Sequence, residues 1–123
     1  VVELADALRA AGYDGRSLIF SPNGRIAAAL RTRFPQAPAA ACSPDPQAAA
    51  SCVRMNAERA RAAGLGWLLV VDAQDADAGW WTPVLDQMPG LQPRTVTLAL
   101  RLVPTAAPSI EYTYVWQPGS APP

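Results

Sequence analysis

The chain has 123 residues, a formal net charge of zero and a mean hydropathy of +0.06, and half of its residues are hydrophobic. All 10 basic residues are Arg, and neither Lys nor His occurs. This composition excludes imidazole chemistry, lysine Schiff bases and a P-loop lysine. The zero net charge argues against an electrostatic grip on nucleic acid or on an anionic membrane. We predict a single α/β domain over residues 1–116, followed by a flexible Pro/Gly/Ser tail at 117–123.

The first half of the chain alternates helical and extended patterns. Apolar residues at helical spacing, strands of apolar residues and Gly or Pro breaks predict five elements in this order. They are a helix over 1–11 that is closed by Gly12 and Gly15, a buried strand over 17–21, a helix over 25–33 that Pro35 stops, a weak alanine-rich strand over 38–42, and a helix over 47–63 that stops at Gly64.

The second half begins with the strongest strand pattern, residues 67–72, which is apolar on both faces and therefore typical of a central strand in a parallel sheet. A polar loop over 74–79 and a short helix over 80–88 follow. Residues 95–103 and 110–116 alternate with period two, which predicts an antiparallel hairpin around the loop 104–108. The expected fold is a three-layer α/β sandwich with a small, mostly parallel sheet of order 2-1-3. The hairpin extends one edge, and either of its strands can join the sheet.

Ligands of such sheets bind beyond the carboxyl ends of the strands, which places residues 21–25, 42–45 and 72–77 at the expected crevice. The turn before the second helix could hold an anion on its free N–H groups, or its polar side chains could simply cap the helix. Three aspartates in the last loop suggest Mg²⁺ or Ca²⁺, although a polar loop that caps the next helix is favoured. We predict no metal, no cofactor and no catalytic residue. The candidate ligand-binding residues are Ser21, Asn23, Gly24, Arg25, Asp72 and Asp75.

Cys42 and Cys52 are the two cysteines of the chain. A zinc site needs four ligands, and no His is present to complete one. An intrachain disulfide is favoured, and it indicates an oxidising compartment. The alternative is a pair of buried thiols in a cytosolic protein.

The remaining polar and aromatic residues are interpreted as structural. The arginines are spread along the chain, and their spacing favours solvated helix faces over a phosphate-binding patch. They include Arg9, Arg25, Arg31, Arg33, Arg54, Arg59 and Arg61. The four tryptophans are expected in the core, while the alternative is an exposed Trp80–Trp81 pair that stacks on a sugar.

The start of the chain and its hydropathy describe a segment outside the membrane. The chain begins at Val1 without a Met and without a secretory signal, so we expect a processed or excised segment. The longest apolar run, residues 65–71, is too short to span a bilayer.

The stretch LIFSPNGRIAAALR, from Leu18 to Arg31, leads into Phe34-Pro35, and the chain later carries the strand 67–71 and a hairpin that ends in YTYVW. This order resembles the soluble C-terminal domain of bacterial membrane glycosyltransferases that use polyprenyl-phosphate sugar donors, the relatives of protein mannosyltransferases and lipid A aminoarabinose transferases. The resemblance implies a domain on the periplasmic side of the inner membrane, after the last transmembrane helix. The family's catalytic acids lie in the membrane part, so no catalytic role passes to this segment.

The resemblance therefore implies a non-catalytic accessory domain for acceptor recognition or structural support. Its partners would be the membrane-embedded portion of the same parent chain and a carbohydrate or lipid-linked sugar acceptor. Two other functions stay open. One is a stand-alone Rossmann-like or flavodoxin-like domain, cytoplasmic in location, that binds a nucleotide or another small ligand. The other is a protein-interaction module that uses the hairpin edge.

Overall fold

A computed structural model describes residues 2–99 and 109–119 of the chain. Helices and strands alternate until the third strand, after which two short helices lead to an antiparallel pair of strands. In chain order the elements are α1 (Val2–Ala10), β1 (Leu18–Ser21), α2 (Gly24–Arg33), β2 (Ala39–Ala41), α3 (Pro46–Ala62), β3 (Trp67–Asp72), α4 (Ala73–Asp77), α5 (Trp81–Gln87), β4 (Arg94–Ala99) and β5 (Ser109–Gln117).

Helices α2 and α3 each begin at a polar side chain that caps them. Asn23 caps α2, and its side chain accepts a hydrogen bond from the backbone N–H of Arg25 at 3.0 Å. Asp45 caps α3 in the same way, with Pro46 in the first turn, where its missing N–H costs no helical hydrogen bond. Arginines lie in the last turns of α1, α2 and α3, where a positive charge complements the helix dipole.

The described strands form one sheet of order β2-β1-β3-β5-β4. β1 pairs in parallel with β2 and with β3, which confirms the predicted 2-1-3 arrangement. β5 runs antiparallel to β3, with Asp72 opposite Tyr112 and Trp67 opposite Gln117. The second hairpin strand is therefore the one that joins the parallel part, and β4 forms the outer edge.

Alternating residues of the strands bury the two faces of this sheet against different helices, which confirms the three-layer fold. One face packs on α3 and α5 through residues that include Phe20, Leu69, Val71, Val53, Trp80 and Val84. The other face packs on α1 and α2 through Ile19, Leu68, Val70, Leu4, Leu8 and Leu30. Both faces of β1 and β3 are covered, because helices lie on each side of them.

Three of the four tryptophans lie in the core, as predicted, and Trp116 is partly buried against it. Trp80 is fully buried, and Trp67 and Trp81 are nearly so. Trp80 and Trp81 meet edge to face, with ring centroids 5.7 Å apart. An exposed Trp80–Trp81 platform for a sugar ring is therefore absent.

Residues 74–79, predicted as a polar loop, contain the short helix α4 instead. This helix forms because the Asp72 carboxylate accepts a hydrogen bond from the Asp75 backbone N–H at 2.8 Å and so caps its first turn. The predicted end of the fourth strand, residues 100–103, and the predicted loop 104–108 lie outside the described residues.

The predicted tail is described only at its beginning. Gln117 ends β5, and Pro118 and Gly119 lie close against the backbone of Gly66. Residues 120–123 lie outside the described residues. Within residues 2–99 and 109–119, no helix has the length and apolar character that crossing a membrane requires.

Candidate functional site

The carboxyl edge of the sheet brings the loops after β1 and β3 together. The two strands are parallel neighbours, so the segments that follow them leave the sheet side by side. The Asn23 side-chain N–H donates to Asp72 Oδ2 at 2.9 Å, across 49 positions of sequence. Two of the predicted ligand-binding residues therefore bind each other.

Ser21 and Asn23 organise the first of these loops. Ser21 is fully buried, and its hydroxyl accepts from the Asn23 backbone N–H at 3.0 Å. Asn23 Oδ1 in turn caps α2 at Arg25. The backbone N–H groups of Asn23 and Arg25 at this helix start are therefore already paired within the chain.

Asp72 organises the second loop with both carboxylate oxygens. Oδ2 accepts from Asn23, and Oδ1 accepts from the Asp75 backbone N–H. We call this hydrogen-bonded set, Ser21, Asn23, Asp72 and Asp75, the carboxyl-edge clasp. Burial, the nearby Asp72 charge and a side-chain hydrogen bond to Asp72 raise the pKa of Asp75 above its ordinary value.

Tyr112 is a member of this edge that no motif in the sequence indicated. It lies opposite Asp72 in the β3–β5 register and is partly buried. Burial and the negative charge of Asp72 raise the pKa of its phenol. The signal that would have revealed it is the pairing of β5 with β3, which depends on the tertiary fold.

The loop after β2 is also tied to its neighbours. The Cys42 backbone N–H donates to the Ser21 carbonyl at 2.8 Å. The Trp80 indole N–H donates to the Ser43 carbonyl at 3.1 Å, which links this loop to the start of α5. All three loops that were predicted to surround a ligand are therefore connected by hydrogen bonds.

Cys42 and Cys52 form the predicted disulfide, with their Cα atoms 5.9 Å apart. The bond joins the end of β2 to α3, and Cys42 is almost fully buried. The Asn56 side-chain N–H donates to the Cys52 carbonyl at 2.9 Å and lies 3.2 Å from the Cys52 sulfur. The disulfide therefore anchors the three-residue edge strand β2 to the longest helix.

The other two predicted ligand-binding residues lie outside the clasp. Gly24 and Arg25 form the exposed first turn of α2. Asp77 is exposed at the end of α4. Across residues 2–99 and 109–119, no three side chains of the Asp, Glu, His or Cys type come close enough to hold a metal ion.

The chemistry open to this edge is limited. Here both Asp72 oxygens are engaged in bonds within the chain, and the described residues leave no buried side-chain nitrogen or oxygen without a hydrogen-bond partner. The hydrogen bonds of Asp72 therefore connect the loop after β1 with the start of α4.

Comparisons of this chain with protein-family models, with curated proteins and with solved structures find no match.

Proposed function

We propose that this segment is a non-catalytic, extracytoplasmic accessory domain of a larger membrane glycosyltransferase, where it recognises the acceptor or supports the membrane part. The observation that carries the proposal is the Cys42–Cys52 disulfide. Disulfides persist in oxidising compartments and are rare in the cytosol. The glycosyltransferase assignment rests on the resemblance of residues 18–37 and of the closing hairpin.

The carboxyl edge supports the non-catalytic part of this proposal. An active site leaves polar groups free for substrate and places a nucleophile beside a base. Ser21 Oγ instead accepts from a backbone N–H, and neither His nor Lys exists to activate it. Asn23 and Asp72 use their polar atoms on each other and on helix starts.

Deletion of this segment from the parent protein tests its role. We expect the deletion to reduce sugar transfer or narrow the range of acceptors while the membrane part still accumulates. The catalytic acids expected in the membrane part of the parent protein should be essential for sugar transfer but not needed for the folding of this segment. Unchanged transfer rate, acceptor range and protein level after deletion would remove the proposed role.

The cellular redox state of the cysteines tests the location separately. Cells are quenched with acid, free thiols are alkylated, and the protein is then reduced and labelled with a heavy maleimide. We expect both cysteines to take the heavy label, because they are oxidised in the cell. Alkylation of both before reduction would place the domain in a reducing compartment.

The parent gene tests the membrane assignment. We expect the reading frame upstream of the Val1 codon to encode several apolar spans of about 20 residues, with an acidic residue in the first extramembrane loop. A start codon or a cleaved signal immediately before Val1 would contradict the assignment and favour a stand-alone protein.

A second function, pairing with another chain through the sheet edge, is favoured by β4. Among the described strands this one pairs only with β5, so no described strand covers its other side. On this strand the side chains of Thr95 and Thr97 are exposed. A constant monomer mass by light scattering over a hundredfold range of concentration would exclude a stable homodimer through this edge.

A further inference from the structure

The opposite, amino edge of the sheet gathers arginines that are far apart in the sequence. α1 ends at this edge, and α2 runs back to it after β1. The last turns of both helices therefore lie beside the segment 11–17, which enters β1. Arg9, Arg16 and Arg33 line an open cavity of about 460 Å³ together with Tyr13, Asp14, Phe34 and neighbouring residues. We call it the arginine cavity.

Aromatic side chains hold one side of this cavity in place. The Arg9 guanidinium lies 4.8 Å from the centre of the Phe34 ring, and its Nη2 donates to the Arg33 carbonyl at 3.4 Å. The Tyr13 ring meets Phe34 edge to face, and the Tyr13 hydroxyl donates to the Ser17 carbonyl at 2.8 Å. Arg9 is therefore positioned before any ligand arrives, which lowers the entropy lost on binding.

The charge of the cavity is not balanced from within. Asp14 is its one carboxylate, against three guanidinium groups. Asp14 Oδ1 accepts from the backbone N–H groups of Arg16 and Ser17, and Oδ2 accepts from the Ser17 hydroxyl. In the described part of the chain the close ion pair is Arg61 with Glu58, on α3, so none of the three cavity arginines forms a direct salt bridge with a carboxylate.

Asp14 stays ionised in this position. Burial disfavours its charged form, but the hydrogen bonds from Arg16 and Ser17 and the Arg16 charge outweigh burial and lower its pKa. The cavity therefore carries a local excess of two positive charges, three against one, although the whole chain is neutral.

The helix dipole explains only part of this arrangement. Arg9 and Arg33 are in the last turns of α1 and α2, where basic residues are common. Arg16 lies between α1 and β1, outside any helix. Its position beside the other two is therefore not a consequence of helix capping.

We propose that the arginine cavity binds a phosphate-bearing anion. Guanidinium groups donate paired N–H groups in the geometry that phosphate oxygens accept. Pro35 supplies exposed apolar surface for an organic group attached to the phosphate, beside the nearly buried rings of Tyr13 and Phe34. The cavity lies at the opposite end of β1 from the carboxyl-edge clasp. Anion binding there does not depend on the function proposed above.

Titration with inorganic pyrophosphate at low ionic strength, followed by amide NMR spectra, is the direct test. We expect saturable shifts of the Gly15, Arg16 and Gln36 signals that weaken as salt rises. A sugar phosphate and vesicles of phosphatidylglycerol then separate a soluble phosphate from a lipid headgroup as the natural source. Shifts that stay linear with concentration, or that centre on Asn23 and Arg25, overturn the proposal.

Arginine variants show whether the cavity side chains make the contacts. We expect Arg33→Gln and Arg16→Gln each to weaken pyrophosphate binding about tenfold, the effect of losing one charge-assisted contact. Arg16→Gln leaves the Arg9–Phe34 contact intact, so the expected loss of pyrophosphate affinity in this variant does not come from disturbed packing. Arg54→Gln on α3 removes an exposed positive charge outside the cavity and should change the affinity less than twofold. Equal losses in all three variants overturn the site.

Discussion

Asn23 on the loop after β1 donates its side-chain N–H to the carboxylate of Asp72 at the end of β3, at 2.9 Å. The same Asn23 caps α2, and the same Asp72 caps α4. One hydrogen bond therefore joins two helix starts that are 49 positions apart in the chain. Two of the residues predicted to line the ligand crevice of this fold class therefore bind each other.

Replacement of Asn23 should cost more than the loss of a simple cap. Asn23→Ala removes the cap of α2 and leaves Asp72 Oδ2 without its donor, so we expect about 2 kcal/mol of destabilisation by urea unfolding. Asp45→Ala is the matched control, because Asp45 caps α3 at Gln47. It should cost about 1 kcal/mol. Equal losses would show that the bond to Asp72 contributes nothing.

Reduction of the disulfide should destabilise the fold. Opening the loop between Cys42 and Cys52 frees the unfolded chain and removes about 3 kcal/mol in the loop-entropy treatment. We expect the urea midpoint to fall when dithiothreitol is added, and Cys42→Ala/Cys52→Ala to show the lower midpoint with or without reductant. Two free thiols in denatured, unreduced protein would contradict the disulfide itself.

Gly66 should not accept a side chain. A methyl group at this position would lie 2.8 Å from the Pro118 carbonyl carbon and nearer still to backbone atoms of Gln117 and Gly119. Backbone atoms cannot move aside easily, so Gly66→Ala is expected to cost about 2 kcal/mol. Gly90→Ala is the control, since a methyl group there meets nothing within 4 Å. A neutral Gly66→Ala would show that residues 117–119 are not held against Gly66.

The contribution of Asp75 to the free energy of unfolding should fall as the pH rises above 3.8, the ordinary pKa of an aspartate. Its raised pKa in the folded state means that the folded protein binds its proton more tightly than the unfolded chain does. The folded state is therefore penalised once this proton is lost. Asp75→Asn removes the penalty, so it should raise the urea midpoint at pH 7 and leave it nearly unchanged at pH 3. Asp77→Asn, at an exposed position two residues away, is the control and should leave the midpoint nearly unchanged at both pH values.

The fold class follows from patterns that are local in the sequence. The doubly apolar run at 67–72 and the helical spacing around it are enough to place β3 in the centre, and the handedness of crossovers then orders β2-β1-β3. These patterns could not predict which hairpin strand pairs with β3, because apolar and polar residues alternate equally well in both strands. The structure resolves it through Tyr114, which is buried against the α1 and α2 face when β5 lies next to β3.

The candidate site was only partly predictable for a similar reason. Asn23 as a helix cap follows from its place before α2, and Asp72 followed by Asp75 three residues later is a capping signal that the polar-loop interpretation of 74–79 overlooked. The Asn23–Asp72 bond and the gathering of Arg9, Arg16 and Arg33 depend on which segments become neighbours in space. No spacing in the sequence encodes either of them.

The place of β5 between β3 and β4 has a consequence for biosynthesis. β4 has β5 as its strand neighbour, and β3 has β5 on its outer side, so both wait for residues 109–117. While these residues are still inside the ribosome, the segment already made lacks the strand that pairs with both β3 and β4, so the backbone groups along that side of β3 are open. Productive folding must therefore follow translation of β5, and a nascent chain that stalls before residue 109 exposes surfaces that invite aggregation.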